Sequence, residues 1–465
     1  MRKKLIRHWI QLWLLLFLIP IPGFTQHQHH NHFQPEETGP DTASALHATH
    51  AEVSGELSDA LNPLPPVPPM NRATGYLLNF TSGTSLNPAS WSMPMAMSRV
   101  RGWSLMWMGE ASLVSTQQTG PRGADGLFST NWGMLAAARN LGKGSVMLRT
   151  MVSLEPLTIR GKMYPLLFQT GESADGAPIV DGQHPHDLLM EFSIQYARPL
   201  GRRAIVNVYY APVGDAGLGP VAFPHRASAR ELPQATLGHH WQDSTHIANN
   251  VLSLGLGYGK FRIEASGFRG KEPNENRWNL DLGPIDSWSS RVSFEPNRNW
   301  LAQASVGRIE RPEGFHPDDV LRTTASLHYT RPMRSGTDWS TTLVWARNYK
   351  TVGRYATNSL LAETVLPVRR RNFLSARSEW SQRDELFEYD HDLAQEIFQE
   401  TGRRAFEVAA YTVGYTRELG RFRAVETALG VNVTKYSTGK TLQRFYGNSP
   451  AAATMFLRFR LKGGE

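Results

Sequence analysis

From Gly102 to the C-terminus the chain repeats one pattern: stretches of about 10–14 residues in which apolar and polar positions alternate, divided by turn residues. In 421–436, Val425, Thr427, Leu429, Val431 and Val433 share one face, and Glu426, Ala428, Gly430, Asn432 and Thr434 share the other. Near the end, Met455, Leu457, Phe459 and Leu461 alternate with Phe456, Arg458 and Arg460; in 261–268, Phe261 and Ile263 alternate with Arg262, Glu264 and Ser266. Successive strand side chains point to opposite faces, so the predicted sheet is apolar on one face and charged on the other. The segmentation predicts sixteen strands, with 14–18 as the working range, near 102–117, 127–140, 144–156, 187–199, 203–213, 248–258, 260–269, 286–295, 299–311, 319–331, 337–349, 358–368, 372–384, 404–418, 421–436 and 451–462.

Connection lengths decide what the sheet does. Short links such as "NLGKG", "RPLGRR", "YGK" and "RELGR" alternate with long ones at 118–126, 157–186, 214–247, 270–285, 312–318, 350–357, 385–403 and 437–450. Short turns on one rim and long loops on the other are the pattern of a transmembrane antiparallel up-and-down β-barrel, with turns periplasmic and loops outside. Closure removes the sheet edges that lipid could not satisfy. An even strand count also leaves both chain ends on the short-turn side. The apolar face then meets lipid, and charges such as Glu110, Glu155, Arg291, Arg308, Glu407 and Arg458 are expected to face the lumen.

The first residues change the compartment. "MRKK" followed by "WIQLWLLLFLIPIPGF" reads as a secretory signal over 1–25, with Gly23 and Thr25 placed for a cut before Gln26. Residues 26–72 are His- and Pro-rich and too polar to build a core, so a disordered periplasmic leader is expected there. Residues 73–101 read as a connector or plug, and 102–465 as the barrel. With no cysteine, an exported chain is held by packing and lipid rather than by disulfides. The net charge of +8 comes from Lys and Arg scattered among acids, without the clustered stripe that nucleic acid requires.

On this architecture the sequence resembles outer-membrane β-barrel proteins of Gram-negative bacteria, in the porin or channel size range. The likeness covers the leader and residues ~102–465. It implies an outer-membrane location, with lipid and the barrel-assembly machinery as partners and small solutes or ions as cargo. A homo-oligomer is left open. The chain departs from the family at its end, running "FLRFRLKGGE" past Phe459 where such barrels usually stop on an aromatic. Recognition by the assembly machinery would then use Phe459 internally, or the tail would be tolerated.

Candidate chemistry gathers in the two longest loops. "DGQHPHD" carries His184, His186 and Asp187; "GHHWQDSTH" carries His239, His240, Asp243 and His246; His225 lies between. Three readings compete. Neutral imidazoles with carboxylates suit zinc, copper or nickel. His, Asp and Ser244 could form a nucleophile–base–orienter set, although no G-x-S-x-G elbow accompanies them. Polar side chains could also simply satisfy the backbone of loops folded into a lumen. The leader's His27, His29, His30 and His32, with Met93, Met95 and Met97, offer imidazole and thioether donors, a copper-selecting mixture. Its composition is similar to the His/Met-rich segments of copper-resistance outer-membrane proteins. The primary functional expectation is a non-enzymatic channel or transport barrel narrowed by loops 157–186 and 214–247. Copper or zinc handling is the second reading, and a hydrolase working at the membrane rim is the third.

Overall fold

The computed structural model describes residues 71–333 and 336–463. The expected signal peptide, nearly all of the leader, and His27, His29, His30 and His32 lie outside the described residues. Nineteen strands follow in chain order: β1 (Ala96–Val100), β2 (Trp103–Gln118), β3 (Gly126–Leu141), β4 (Gly144–Val152), β5 (Tyr164–Ala174), β6 (Ala177–Gln183), β7 (Leu189–Leu200), β8 (Ala204–Gly214), β9 (Ala248–Tyr258), β10 (Phe261–Arg269), β11 (Ser287–Asn297), β12 (Trp300–Ile309), β13 (Val320–Pro332), β14 (Asp338–Lys350), β15 (Tyr355–Arg369), β16 (Asn372–Arg383), β17 (Phe406–Phe422), β18 (Val425–Thr438) and β19 (Ala451–Leu461). Sixteen of them close a barrel. Each pairs antiparallel with the next, and β19 returns to β2 from Ala452↔Gln118 to Arg460↔Glu110. The exceptions are β1, a short hairpin arm on β2, and the β5–β6 hairpin, which stands inside the long connection between β4 and β7. Tight turns join β3 to β4 and β9 to β10, where Gly142 and Gly259 adopt left-handed backbone that a side chain would strain.

Alternation sorts the two faces as the pattern requires. Met455 is 56 % exposed on the outside while its neighbour Phe456 is 1 % exposed on the inside. Leu343, Leu429, Val433 and Ile263 likewise face out, and Arg262, Glu264, Glu426 and Arg458 face in and are buried. Two charges are corrections. Arg308 shares its register with the exposed Trp288 and is itself exposed, as is Glu407, so both point outward. They sit at strand ends toward the loop rim, where the outer surface meets water and charge on that face costs nothing. On the apolar belt charge does cost. Leu343→Arg, in the middle of β14, is expected to destabilise the barrel in lipid by ~2–4 kcal/mol, read as a lower urea midpoint.

The inside is packed, not open. At the short-turn end a helix, α1 (Arg72–Leu78), is capped by Asn71, whose side chain accepts from Thr74 N. Thr74 Oγ1 donates to Asn140 (2.9 Å) and Tyr76 OH to Asn207 (2.9 Å), which fixes the helix to the inner wall. The chain then crosses the lumen: Arg149 and Arg262 donate to the carbonyls of Gly83 and Thr84, and Asp338 accepts from Ser92 N on the far side. Met93, Met95 and Met97 pack around α1 with six buried methionines of β2, β3, β4 and β7, filling irregular space.

A second crossing comes from the other rim. Between β8 and β9, no residue of 215–247 is exposed. Gly217 N and Gly219 N donate to Ser266 of β10 and Ser305 of β12, and Trp241 Nε1 donates to Thr357 of β15. Arg322 of β13 donates to Ser244, Arg383 of β16 to the Leu237 carbonyl, and Thr454 of β19 to Gln234. A loop bonded to strands on opposite walls occupies the lumen. Beside it, against β16–β18, lies a cavity of about 30 Å³, room for a water or two.

Candidate metal site in the lumen-crossing loop

Arg226 anchors the loop. Fully buried, it donates to Glu363 on β15 (Nε–Oε1 2.6 Å) and to Asp243 within the loop (3.2 Å). Arg377 completes Glu363 from β16 at 2.9 Å. Asp243 in turn lies at i+4 from His239 on a single helical turn, and its Oδ1 takes the Nδ1 proton of His239 at 2.6 Å. A carboxylate on one ring nitrogen fixes the tautomer and turns Nε2 outward as a donor atom. Glu155 does the same for His186, at 2.9 Å from Nδ1.

All eight residues singled out in the loops are buried, and five of the six histidines meet. Ring centroids run His184–His240 5.6 Å, His240–His239 5.0 Å, His239–His246 5.3 Å and His246–His186 5.4 Å. Nitrogens of His184, His239 and His240 lie within 4.8 Å of one another. Tetrahedral coordination at ~2.0–2.1 Å sets ligand nitrogens ~3.4 Å apart, a spacing that small ring rotations reach. His240 Nδ1 lies 3.4 Å from Glu272, while its Nε2, like that of His246, has no hydrogen-bond partner among the described residues. A buried polar atom left so costs about 1–3 kcal/mol, which ligation would offset.

Electrostatics shift three of these rings toward the neutral form, the one that binds metal. Burial, reinforced by Arg277 and the neighbouring imidazoles, holds His184 well below the ordinary histidine range. Burial and the His239 and His186 rings do the same for His246. His239 is also lowered by burial, against the pull of Asp243. His240 goes the other way: burial lowers it, but Glu272, Glu172 and Glu385 together raise it. Space is tight on that side. A Cβ on Gly171 would fall 2.4 Å from the His240 ring, so only glycine lets the β5 backbone lie against it.

The other singled-out residues have different work. Asp187 pairs with Arg277 at 3.3 Å, His225 stands edge-on to Trp132 at 4.4 Å, and Asp243 positions His239 rather than facing the cluster. Ser244 accepts from Arg322 at 2.9 Å and is also hydrogen-bonded to the Glu272 carboxylate. Sequence reasoning missed the carboxylates that complete the region. Glu172 Oε1 stands 3.1 Å from His184 Nε2, and its carboxyl is pushed up to about 7 by burial. Glu272 and Glu313 stand 3.4 and 3.8 Å from His240 Nδ1. The one available signal was topological: they belong to loops of the same rim.

Solved outer-membrane porins share this barrel architecture. An anion-selective porin from Comamonas acidovorans matches at 14% identity over 77% of this chain and 100% of its own, with a TM-score of 0.47. Salmonella typhi OmpF, in complex with daunomycin, matches at 10% identity over 78% and 100%, with 0.48. The outer-membrane channel DcaP of Acinetobacter baumannii matches at 8% over 78% and 99%, with 0.45. No family model matches the chain, and no curated protein matches it by sequence.

Proposed function

We propose that this chain is a porin-like outer-membrane barrel whose lumen is closed by residues 71–95 and 215–247, and that it handles a late first-row transition-metal ion held on the loop histidines. The apolar outer belt supports the membrane placement, since a closed sheet of this kind satisfies every backbone group in lipid. The observation that carries the metal reading is the convergence of the buried His184, His239 and His240, with His239 Nδ1 held by Asp243 and His240 Nε2 without a partner among the described residues. Donors of this kind take zinc, copper or nickel in preference to magnesium or calcium. The three imidazoles come from two loops, so the site exists only when both fold inward.

Calorimetric titration of the detergent-solubilised full chain with Zn²⁺ and Cu²⁺ tests this. A full-length background with His27, His29, His30, His32, His47 and His50 changed to Asn removes the leader's contribution. One ion per chain is expected, with His240→Ala weakening it by roughly 100-fold or more and Asp243→Asn by about 10–100-fold. Equal binding in the background and in His184→Ala/His240→Ala would end the metal reading.

A further inference from the structure

The histidine cluster does not stand alone at its rim. His240 also forms a group with Glu272 and Glu313, and a third group of His316, Glu385 and Glu388 follows. Backbone bonds tie the supporting loops together: Glu272 N donates to the Pro312 carbonyl at 3.0 Å, and His316 N to the Glu313 carbonyl at 3.3 Å. His316 pairs with Glu388, while its Nε2 stands 3.8 Å from Glu385.

Exposure orders these groups. Side chains of His316 and Glu388 are 24 and 20 % exposed, Glu313 16 %, Glu272 9 %, His240 4 % and His239 1 %. Metal-ligating side chains thus run from the loop surface to the buried imidazoles, with Glu385, 5 % exposed, behind His316. We infer that Glu388, His316, Glu385, Glu313 and Glu272 form an uptake path that captures a divalent cation at the loop face and hands it to His240. The inference rests on the metal reading above and adds the route.

Two further observations fit a transient occupant. Lys350 Nζ already neutralises Asp384 and Glu385, at 2.8 and 2.9 Å, whereas among the described residues Glu388 pairs with His316 and Glu313 lies 3.8 Å from His240, neither with a Lys or Arg in ion-pair range. The donor gradient also has a direction, since carboxylate oxygens exchange a borderline metal faster than imidazoles that hold it. Lys350 and Arg383 face Glu313 and Glu385, and Arg322 faces Glu272.

The test separates rate from affinity. Stopped-flow loading of Zn²⁺ is followed in the full-length leader-His→Asn background, in Glu313→Gln/Glu388→Gln, which keeps side-chain volume, and in His316→Asn. Loading is expected to slow by roughly tenfold or more, because carboxylates lining a cleft raise cation on-rates by at least that factor. Equilibrium affinity at the imidazoles should stay within about twofold. Loading at the background rate in the double variant overturns the path and leaves the imidazole site intact. Absence of any equilibrium ion in the background overturns both, and the titration alone shows it. Loss of equilibrium affinity in the double variant assigns Glu313 and Glu388 to the holding site, and that too overturns the path.

Discussion

Removal of both lumen crossings, residues 71–92 and 216–246, with a short Gly-Ser linker joining β8 to β9, is expected to convert a silent barrel into one that gives discrete conductance steps in a planar bilayer. Sixteen strands enclose a lumen wide enough for water and ions unless something fills it. Two segments span it here, joined by bonds from Ser82 and Ser85 to Asp215 and from Asn87 to the His225 carbonyl, and the β5–β6 hairpin packs beside them. Residues 71–92 bond to wall residues from Asn140 to Asp338 at the short-turn end, and 215–247 bond to nine barrel strands from the loop end. Neither contributes a strand to the sixteen-membered ring, so closure of the sheet does not depend on them. The wall they leave behind is charged and hydroxylated and wets readily: Arg149, Arg262, Arg291, Arg377 and Arg458 all face inward with carboxylate partners. The wild-type chain should give no steps, and each single removal should leave one barrier standing. Steps of full size from the unmodified protein would mean that the crossings do not close the lumen.

Arg226→Met should have the largest effect of any single side chain. Its guanidinium is wholly buried between Glu363 and Asp243, and removal of one member of such a set leaves uncompensated carboxylates at a cost of about 3–5 kcal/mol. The loop should undock, and metal affinity should fall with it, although residue 226 touches no candidate ligand. The link is Asp243. Burial alone would raise its carboxyl, but the hydrogen bond from His239 and the charge of Arg226 bring it down to about 2, below the ordinary 3.8. A depressed acid stabilises docking above its ordinary value, and that contribution is lost as the pH falls from about 4 toward 2. Glu363 keeps Arg377, so the double change Arg226→Met/Asp243→Asn removes the carboxylate left without a cation and should recover most of the stability without the metal site. Limited proteolysis within 215–247 reads undocking, and titration reads affinity. Unchanged protease resistance in Arg226→Met would contradict the anchoring role.

The barrel was legible because its signal is periodic and local. Alternation over 261–268 and 421–436 assigns each side chain to lipid or lumen, and the observed strands end within a few residues of those read from turn chemistry. Arg308 and Glu407 escaped that logic, since near the loop rim both faces are wet and charge no longer marks the inside. The lumen crossings carry no period at all. Asn71–Ser92 and residues 215–247 bond to wall side chains instead of to a neighbouring strand, so the plug and the narrowing loop could be read only from chain position and loop length. The histidines stood out by type and density, yet their partners did not. Glu172, Glu272, Glu313, Glu385 and Glu388 come from separate loops, and only barrel closure sets those loops around one point.

The metal-edge X-ray absorption spectrum of the full-length protein, its leader histidines changed to Asn and loaded with one equivalent of Zn²⁺, bears most directly on the site. Two to three imidazole nitrogens at ~2.0–2.1 Å, with the outer-shell scattering of the rings, are expected, and the ring signal should drop in His240→Ala. A spectrum of oxygen scatterers only, unaltered by that substitution, would contradict the account.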